Sequence, residues 1–215
     1  MAKRKDIRKF YYDHEPFYAT IKGEGGTGWP IVCQKSQNYL IKWAQTEDFP
    51  KDSRVLEVGC GGGELALELA KRDIIVEACD LSDTAVQLAI AKDPSPNLTF
   101  FTGNAMTHRG FPNPPYDYII ANQFLQGIIG GDRVFFLKRM RENMTPAGIA
   151  IIATMLGVPP EYEEEFNPTT RVNSANTIFF ATLEMFAHEV AVSNLRAIKH
   201  IKVDDYFRIF FLVRS

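Results

Sequence analysis

Arg54-Val-Leu-Glu-Val-Gly-Cys-Gly-Gly-Gly63 is the stretch whose reading decides the fold. Arg54 to Gly59 has the length and apolar content of a short buried strand. The glycines after it permit a tight turn and let a ligand come close to the backbone, because no Cβ atoms stand in the way. Glu64 to Arg72, with Leu65, Leu69 and Ala70 at helical spacing, reads as the helix that the turn opens into.

The same alternation continues downstream. Ile74 to Asp80 predicts a second strand, and Ser82 is a good N-cap for a helix over 83–92. Leu98 to Phe101 and Tyr116 to Ala121 predict the third and fourth strands. Asp132 caps a helix that runs to about Met144, Thr145-Pro-Ala-Gly148 is a turn, and Ile149 to Met155 is a fifth strand. Strands separated by helices of this length predict βαβ units, hence an α/β fold with a doubly wound, mostly parallel sheet and helices on both faces. Near the end, Phe179, Leu183, Phe186 and Val190 predict an amphipathic helix over 177–191. Leu195 to Val203 and Tyr206 to Val213 then form a hairpin joined at Asp204-Asp205. The expected sheet has seven strands, the last antiparallel.

Composition limits the remaining choices. The chain has 215 residues, room for one domain with a substantial core. No apolar run reaches the length of a membrane span. A net charge of −2 leaves no overall electrostatic footprint for nucleic acid, which is therefore disfavoured as a partner. Cys33, Cys60 and Cys79 are too widely spaced for a C-x-x-C zinc site, and no histidine has a partner at metal-ligand spacing, so no metal is expected. The basic start lacks the apolar segment of a secretory signal, and the cytoplasm is the expected location.

Two details narrow the ligand of the glycine turn. Counting from Gly59, a dinucleotide fingerprint would need a third glycine where Glu64 stands. Glu57 also sits poorly beside a pyrophosphate and suits a cationic or ammonium-bearing ligand. Asp80, at the end of the second strand, is placed to accept ribose hydroxyls.

Val55 to Gly63 resembles motif I of the class I S-adenosylmethionine-dependent methyltransferases. Glu77-Ala-Cys-Asp-Leu-Ser82, Phe101-Thr-Gly-Asn-Ala105, Tyr116 to Asn122 and Leu137 to Ile152 resemble the later motifs. The resemblance covers about 36–155 and implies a Rossmann-like fold with S-adenosylmethionine as cofactor. It implies that the backbone at Gly59, Cys60 and Gly61 lies against the methionine part, with Glu57 anchoring that region. Asp80 would take the ribose and Leu81 would lie on the adenine. Asn104, where Asp is more usual, and the backbone of Ala105 would bind the adenine edge. Asn122 would bring its carbonyl near the ammonium.

Asn113-Pro-Pro-Tyr116 matches the tetrapeptide of amino-methylating nucleic-acid enzymes, but it precedes the fourth strand instead of following it and reads as a loop turn. Tyr18-x-x-x-Lys22 precedes the cofactor motif and reads as chance.

The chain thus divides into a lid over 1–35, a cofactor-binding core over 36–155, a substrate-side insert over 157–176 and a closing helix and hairpin over 177–215. Gly25 to Pro30 resembles the lid of thiopurine and tellurite-resistance methyltransferases. There Trp29 would cover the sulfonium, worth about 0.5–2 kcal/mol by cation–π attraction; the alternative is that Trp29 packs on the core. His14, Tyr11, Tyr12 and Gln123 are the candidates near the acceptor. Glu163 to Glu165 would favour an amine substrate if they line the site, and Arg171 would favour a carboxylate. The leading expectation is methyl transfer to nitrogen or oxygen of a small molecule. The alternatives are a methyltransferase acting on RNA or protein, and a cofactor-binding protein without transfer activity. The sequence leaves the oligomeric state open.

Overall fold

The computed structural model describes residues 14, 15, 17–19, 31–92, 95–175 and 177–215. Helix α1 (Ile31–Thr46) comes first, then β1 (Arg54–Val58), α2 (Glu64–Leu69), β2 (Ile75–Asp80), α3 (Asp83–Ile90), β3 (Leu98–Thr102) and β4 (Tyr116–Asn122). The second half holds α4 (Asp132–Asn143), β5 (Met144–Met155), α5 (Leu183–Val192), β6 (Leu195–Lys202) and β7 (Phe207–Arg214). The seven strands form one sheet in the order β3-β2-β1-β4-β5-β7-β6. β7 runs antiparallel to β5 and β6, and the remaining pairs are parallel.

Alternation along the strands feeds two cores. Leu56, Ile119 and Ile152 cluster with Phe136 and Leu137 of α4 and Phe186 of α5. Val55, Ile120 and Ile151 belong to the opposite cluster, with Leu40 and Trp43 of α1 and Leu65 and Leu69 of α2. Each such side chain contributes roughly 1.5–3 kcal/mol by leaving water. Polar groups fix the turns. Ser82 Oγ accepts from Ala85 N at 3.0 Å and caps α3. Asp204 Oδ1 accepts from the amides of Tyr206 and Phe207 at 2.9 and 2.8 Å and closes the β6–β7 hairpin. No helix among the described residues is long and apolar enough to cross a membrane.

Several boundaries differ from those expected: α2 ends at Leu69 and α3 at Ile90, short of Arg72 and Lys92, and Asp132 lies inside α4, after its N-cap Gly131. Three further differences bear on the site and the sheet. α1 begins at Ile31, inside the segment taken for the lid, so a division at 35/36 would cut a helix. Ser36, Leu40, Trp43 and Ala44 form its buried face. β5 begins at Met144, and residues 145–148, expected as a turn, enter the strand with a register shift opposite Tyr116 and Tyr118. α5 begins at Leu183 rather than near 177, because Thr182 caps it, accepting from Met185 N at 3.2 Å. The residues before it are held otherwise: Asn173 Oδ1 accepts from Thr177 N at 2.8 Å and Ile178 N at 3.0 Å, and Phe179 N donates to Gln126 O at 2.8 Å.

The strand order turns back between β1 and β4. From β1 the chain builds outward through β2 and β3, then returns to lay β4 and β5 on the other side. The turns after β1 and β4 therefore diverge, and the carboxyl ends of the strands open a crevice there.

Candidate functional site

The glycine turn forms the floor of that crevice. The amides of Gly59 and Cys60 both donate to Cys79 O, at 2.8 and 2.9 Å, which ties the turn to the end of β2. Gly59, Gly61 and Gly63 have φ of 72°, 52° and 81°, a region that favours glycine. Close approach of a ligand is not what holds every glycine here. A Cβ on Gly59 would lie 2.7 Å from Phe124 Cδ2, and one on Gly63 would lie 2.7 Å from Phe100 Cζ. At those two positions the protein's own rings occupy the space.

Two carboxylates stand beside the turn. Asp80 accepts from Gly61 N and from Ser82 N, both at 2.9 Å. Burial raises its pKa, and the two amides and the nearby charge of His14 pull partly against that rise. A carboxylate has about four lone-pair positions, so these bonds leave acceptor capacity. Glu57 is only 3% exposed, and its Oε2 has no hydrogen-bond partner. Burial, then the charges of Glu64 and Asp80, hold its carboxyl well above the usual range. A buried acceptor without a donor costs about 1–3 kcal/mol. An ammonium group or other donor arriving in the crevice would relieve that cost, so the donor set fits the cofactor that the motifs imply.

A cavity of about 590 Å³ runs along this edge. Glu57, Gly59, Cys60, Gly61, Asp80 and Leu81 line it from β1 and β2. Asn104, Ala105, Asn122, Gln123 and His14 also line it, so every expected site residue that is described reaches one space. Tyr11, Tyr12 and Trp29 lie outside the described residues.

Several of these groups also serve the fold. Asn104 Oδ1 accepts from Met106 N at 2.9 Å, the geometry of an Asx turn, and so keeps one lone pair for a ligand. The Ala105 carbonyl accepts from Arg139 Nε at 3.1 Å. Asn122 Oδ1 accepts from Ser36 Oγ at 3.0 Å, and Gln123 Nε2 donates to that same hydroxyl at 2.8 Å. Ser36 on α1 therefore sets the orientation of both amides, and Gln123 adopts φ of 57° at the end of β4. His14 is held by its neighbour: Glu15 Oε1 accepts from Thr84 N at 3.2 Å, at the start of α3. Burial would raise the Glu15 carboxyl, but the bonds from Thr84 and Ser82 outweigh it and bring its pKa down.

Residues absent from the sequence-based set also line the cavity: Gln37 on α1, Gln126 after β4, Tyr162 of the insert and Ile178 just after it. The buried face of α1 was signalled by its spacing. The insert has no periodicity that points to Tyr162, and Ile178, just after it, was expected inside a helix. Other features fall away from the cavity. Glu163 to Glu165 are exposed and do not line it. Arg171 donates from Nε to Phe180 O at 2.7 Å and lies over the Phe166 ring. At the opposite edge of the sheet, Asn113 and Tyr116 both donate to the buried Glu77 carboxylate, Tyr116 Oη at 2.6 Å. The Asn-Pro-Pro-Tyr run is thus a structural clamp. Among the described residues no group of three or more His, Cys, Asp or Glu could hold a metal ion.

Comparison with known proteins agrees with this geometry. Residues 55–148 match the family model described as a methyltransferase domain. The ribosomal protein L11 methyltransferase of Wolinella succinogenes is 35% identical over 104 residues, which are 48% of this chain and 36% of that protein. The chain thus spans about a third of that relative's length. The CcbJ methyltransferase of Streptomyces caelestis superposes with a TM-score of 0.71 at 15% identity, over 95% of this chain and 100% of that one. The magnesium protoporphyrin IX methyltransferase of Synechocystis, solved with S-adenosylhomocysteine, superposes with a TM-score of 0.66 at 17% identity, over 86% of this chain and 84% of that one.

Proposed function

We propose that this chain is a class I S-adenosylmethionine-dependent methyltransferase, a reading supported by the match of residues 55–148 to a methyltransferase domain, and that it moves the methyl group of that cofactor to a nitrogen or oxygen of a small-molecule acceptor. The carrying observation is the cavity itself. One end holds Asp80 and the unpaired Glu57 oxygen, and the other is walled by Tyr162 of the insert and by Ile178 just after it; His14 and Tyr18 also line the cavity.

When bound, the cofactor would supply an electrophilic methyl group for an acceptor lone pair. The protein then has alignment, proximity and exclusion of water to provide. In this reading Glu57 holds the ammonium, with the Asn122 carbonyl beside it, and the backbone at Gly59, Cys60 and Gly61 lies along the amino-acid part. Asp80 accepts from the ribose, Leu81 lies on the adenine, and Asn104 and the Ala105 backbone read its edge. Trp29 covers the sulfonium. Gln123, Tyr11 and Tyr12 position the acceptor, and His14 takes the proton that an amine or hydroxyl gives up.

The test is incubation with methyl-labelled cofactor and, in parallel, a metabolite extract, total protein and RNA. Label in a low-mass product is the expected result, and label confined to protein or RNA would overturn the small-molecule assignment. Calorimetry with S-adenosylhomocysteine tests the cofactor end: Asp80→Ala weakens binding by about 1–3 kcal/mol through loss of charge-assisted hydrogen bonds. Unchanged affinity would refute the ribose assignment.

A further inference from the structure

The two ends of the cavity differ in chemistry. Over β1 and β2 it is acidic, with Glu57, Glu64 and Asp80 in its lining. Over β4, β5 and the segment that follows β5, Ile128, Met155, Tyr162 and Ile178 make an apolar wall. Two polar groups of that wall bond within the fold. Gln126 Oε1 accepts from Met155 N at 3.1 Å, and Thr177 Oγ1 accepts from Asn173 Nδ2 at 2.9 Å. The only charge at this end is a further carboxylate, Glu161, on the exposed rim. No lysine or arginine lines the cavity anywhere among the described residues. Arg171, the insert cation nearest in sequence, is spent on Phe180 O and the Phe166 ring.

Among the described residues, an anion at the β4–β5 end would meet an apolar wall and Glu161 with no lysine or arginine to pair with, His14 standing at the Asp80 end instead, and burying an unpaired charge is costly. We propose that the acceptor is an apolar molecule whose nucleophile is an amine or a hydroxyl and which carries no carboxylate or phosphate where it meets the β4–β5 end. The proposal rests on the methyl-transfer reading above and narrows its substrate class. The same lining disfavours a polyanionic strand as acceptor, because phosphates need basic partners.

Ligand-observed NMR on the protein loaded with S-adenosylhomocysteine tests it. The probes are matched fragments with indole, naphthalene or quinoline bodies, each bearing an amine, a hydroxyl or a carboxylate. Amine and hydroxyl members are expected to bind about tenfold tighter than their carboxylate counterparts. Ile178→Lys, which places a cation in the apolar wall, is expected to narrow or reverse that order. Carboxylates that bind the native protein as well as the amines, or a set in which nothing binds, overturn the proposal. Binding of S-adenosylhomocysteine is measured first by calorimetry; if it fails, the methyl-transfer reading itself fails.

Discussion

Glu57 affects the free and the ligand-bound protein in opposite directions. Its carboxyl is buried beside Glu64 and Asp80, and its folded-state pKa is raised. Such a group keeps its proton longer in the native state than in the unfolded chain. The stability tied to it is therefore fully present below the unfolded value of about 4.5 and is lost as pH rises toward the folded one. Glu57→Gln removes that dependence. The variant is expected to melt about 2–4 °C higher near neutral pH, with a flatter profile of melting temperature against pH. It is also expected to bind S-adenosylhomocysteine more weakly by about 1–3 kcal/mol. A variant that melts lower and binds unchanged would refute both the burial cost and the ammonium assignment. The glycines next to it separate in a way that letters alone do not reveal. Gly63→Ala forces a side chain to φ of 81° and to 2.7 Å from Phe100, so urea unfolding should register a loss of about 2–4 kcal/mol. At Gly62 the nearest atoms are the flexible ends of Glu64 and Lys92, so Gly62→Ala should cost less than about 1 kcal/mol. Equal losses at the two sites would show that backbone strain and ring contacts do not distinguish them.

Among the elements, the contact between α4 and α5 depends most on a single pair. Arg133 is fully buried and donates from Nε and Nη2 to Glu189 at 2.7 and 3.0 Å and from Nη1 to Leu125 O at 2.6 Å. Glu189→Ala leaves that guanidinium without its counter-charge and is expected to cost about 3–5 kcal/mol in urea unfolding. Replacing both partners, Arg133→Met with Glu189→Leu, is expected to recover most of the loss. A single variant within about 1 kcal/mol of the native protein would mean the pair acts as a surface salt bridge does. Nothing in the local sequence announces this pair, since the partners lie 56 positions apart. The strands and turns, by contrast, were readable because their signals are local: alternation, the Ser82 cap and the Asp204 turn. α1 carries an equally local signal, Ser36, Leu40, Trp43 and Ala44 at helical spacing, and it starts inside the segment that resembles a lid. The start of α5 was misplaced because Phe179 fits the helical spacing while its amide is bonded to Gln126. At the cavity, the residues from β1, β2, β3 and β4 were legible in motifs, and those from the insert were not, because Asn173 and Gln126 position it through single side-chain bonds that follow no period.

For the molecule as a whole, the sheet keeps two edges with separate duties. The amino-terminal edge is locked by Asn113, Tyr116 and Glu77, and the carboxyl edge opens the cavity. Tyr116→Phe removes one donor from the buried Glu77 carboxylate. It should lower stability by about 1–3 kcal/mol while leaving affinity for S-adenosylhomocysteine unchanged. A parallel loss of affinity would show that the two edges are coupled. The strand order also divides the carboxyl edge itself, and the family match stops at residue 148, before Met155 and the insert. That match runs from β1 into the start of β5, whereas Met155, Tyr162 and Ile178, which wall one end of the cavity, lie beyond it. A protein engineer seeking a different acceptor would therefore begin with the connection after β5, where changes leave the glycine turn and its carboxylates untouched.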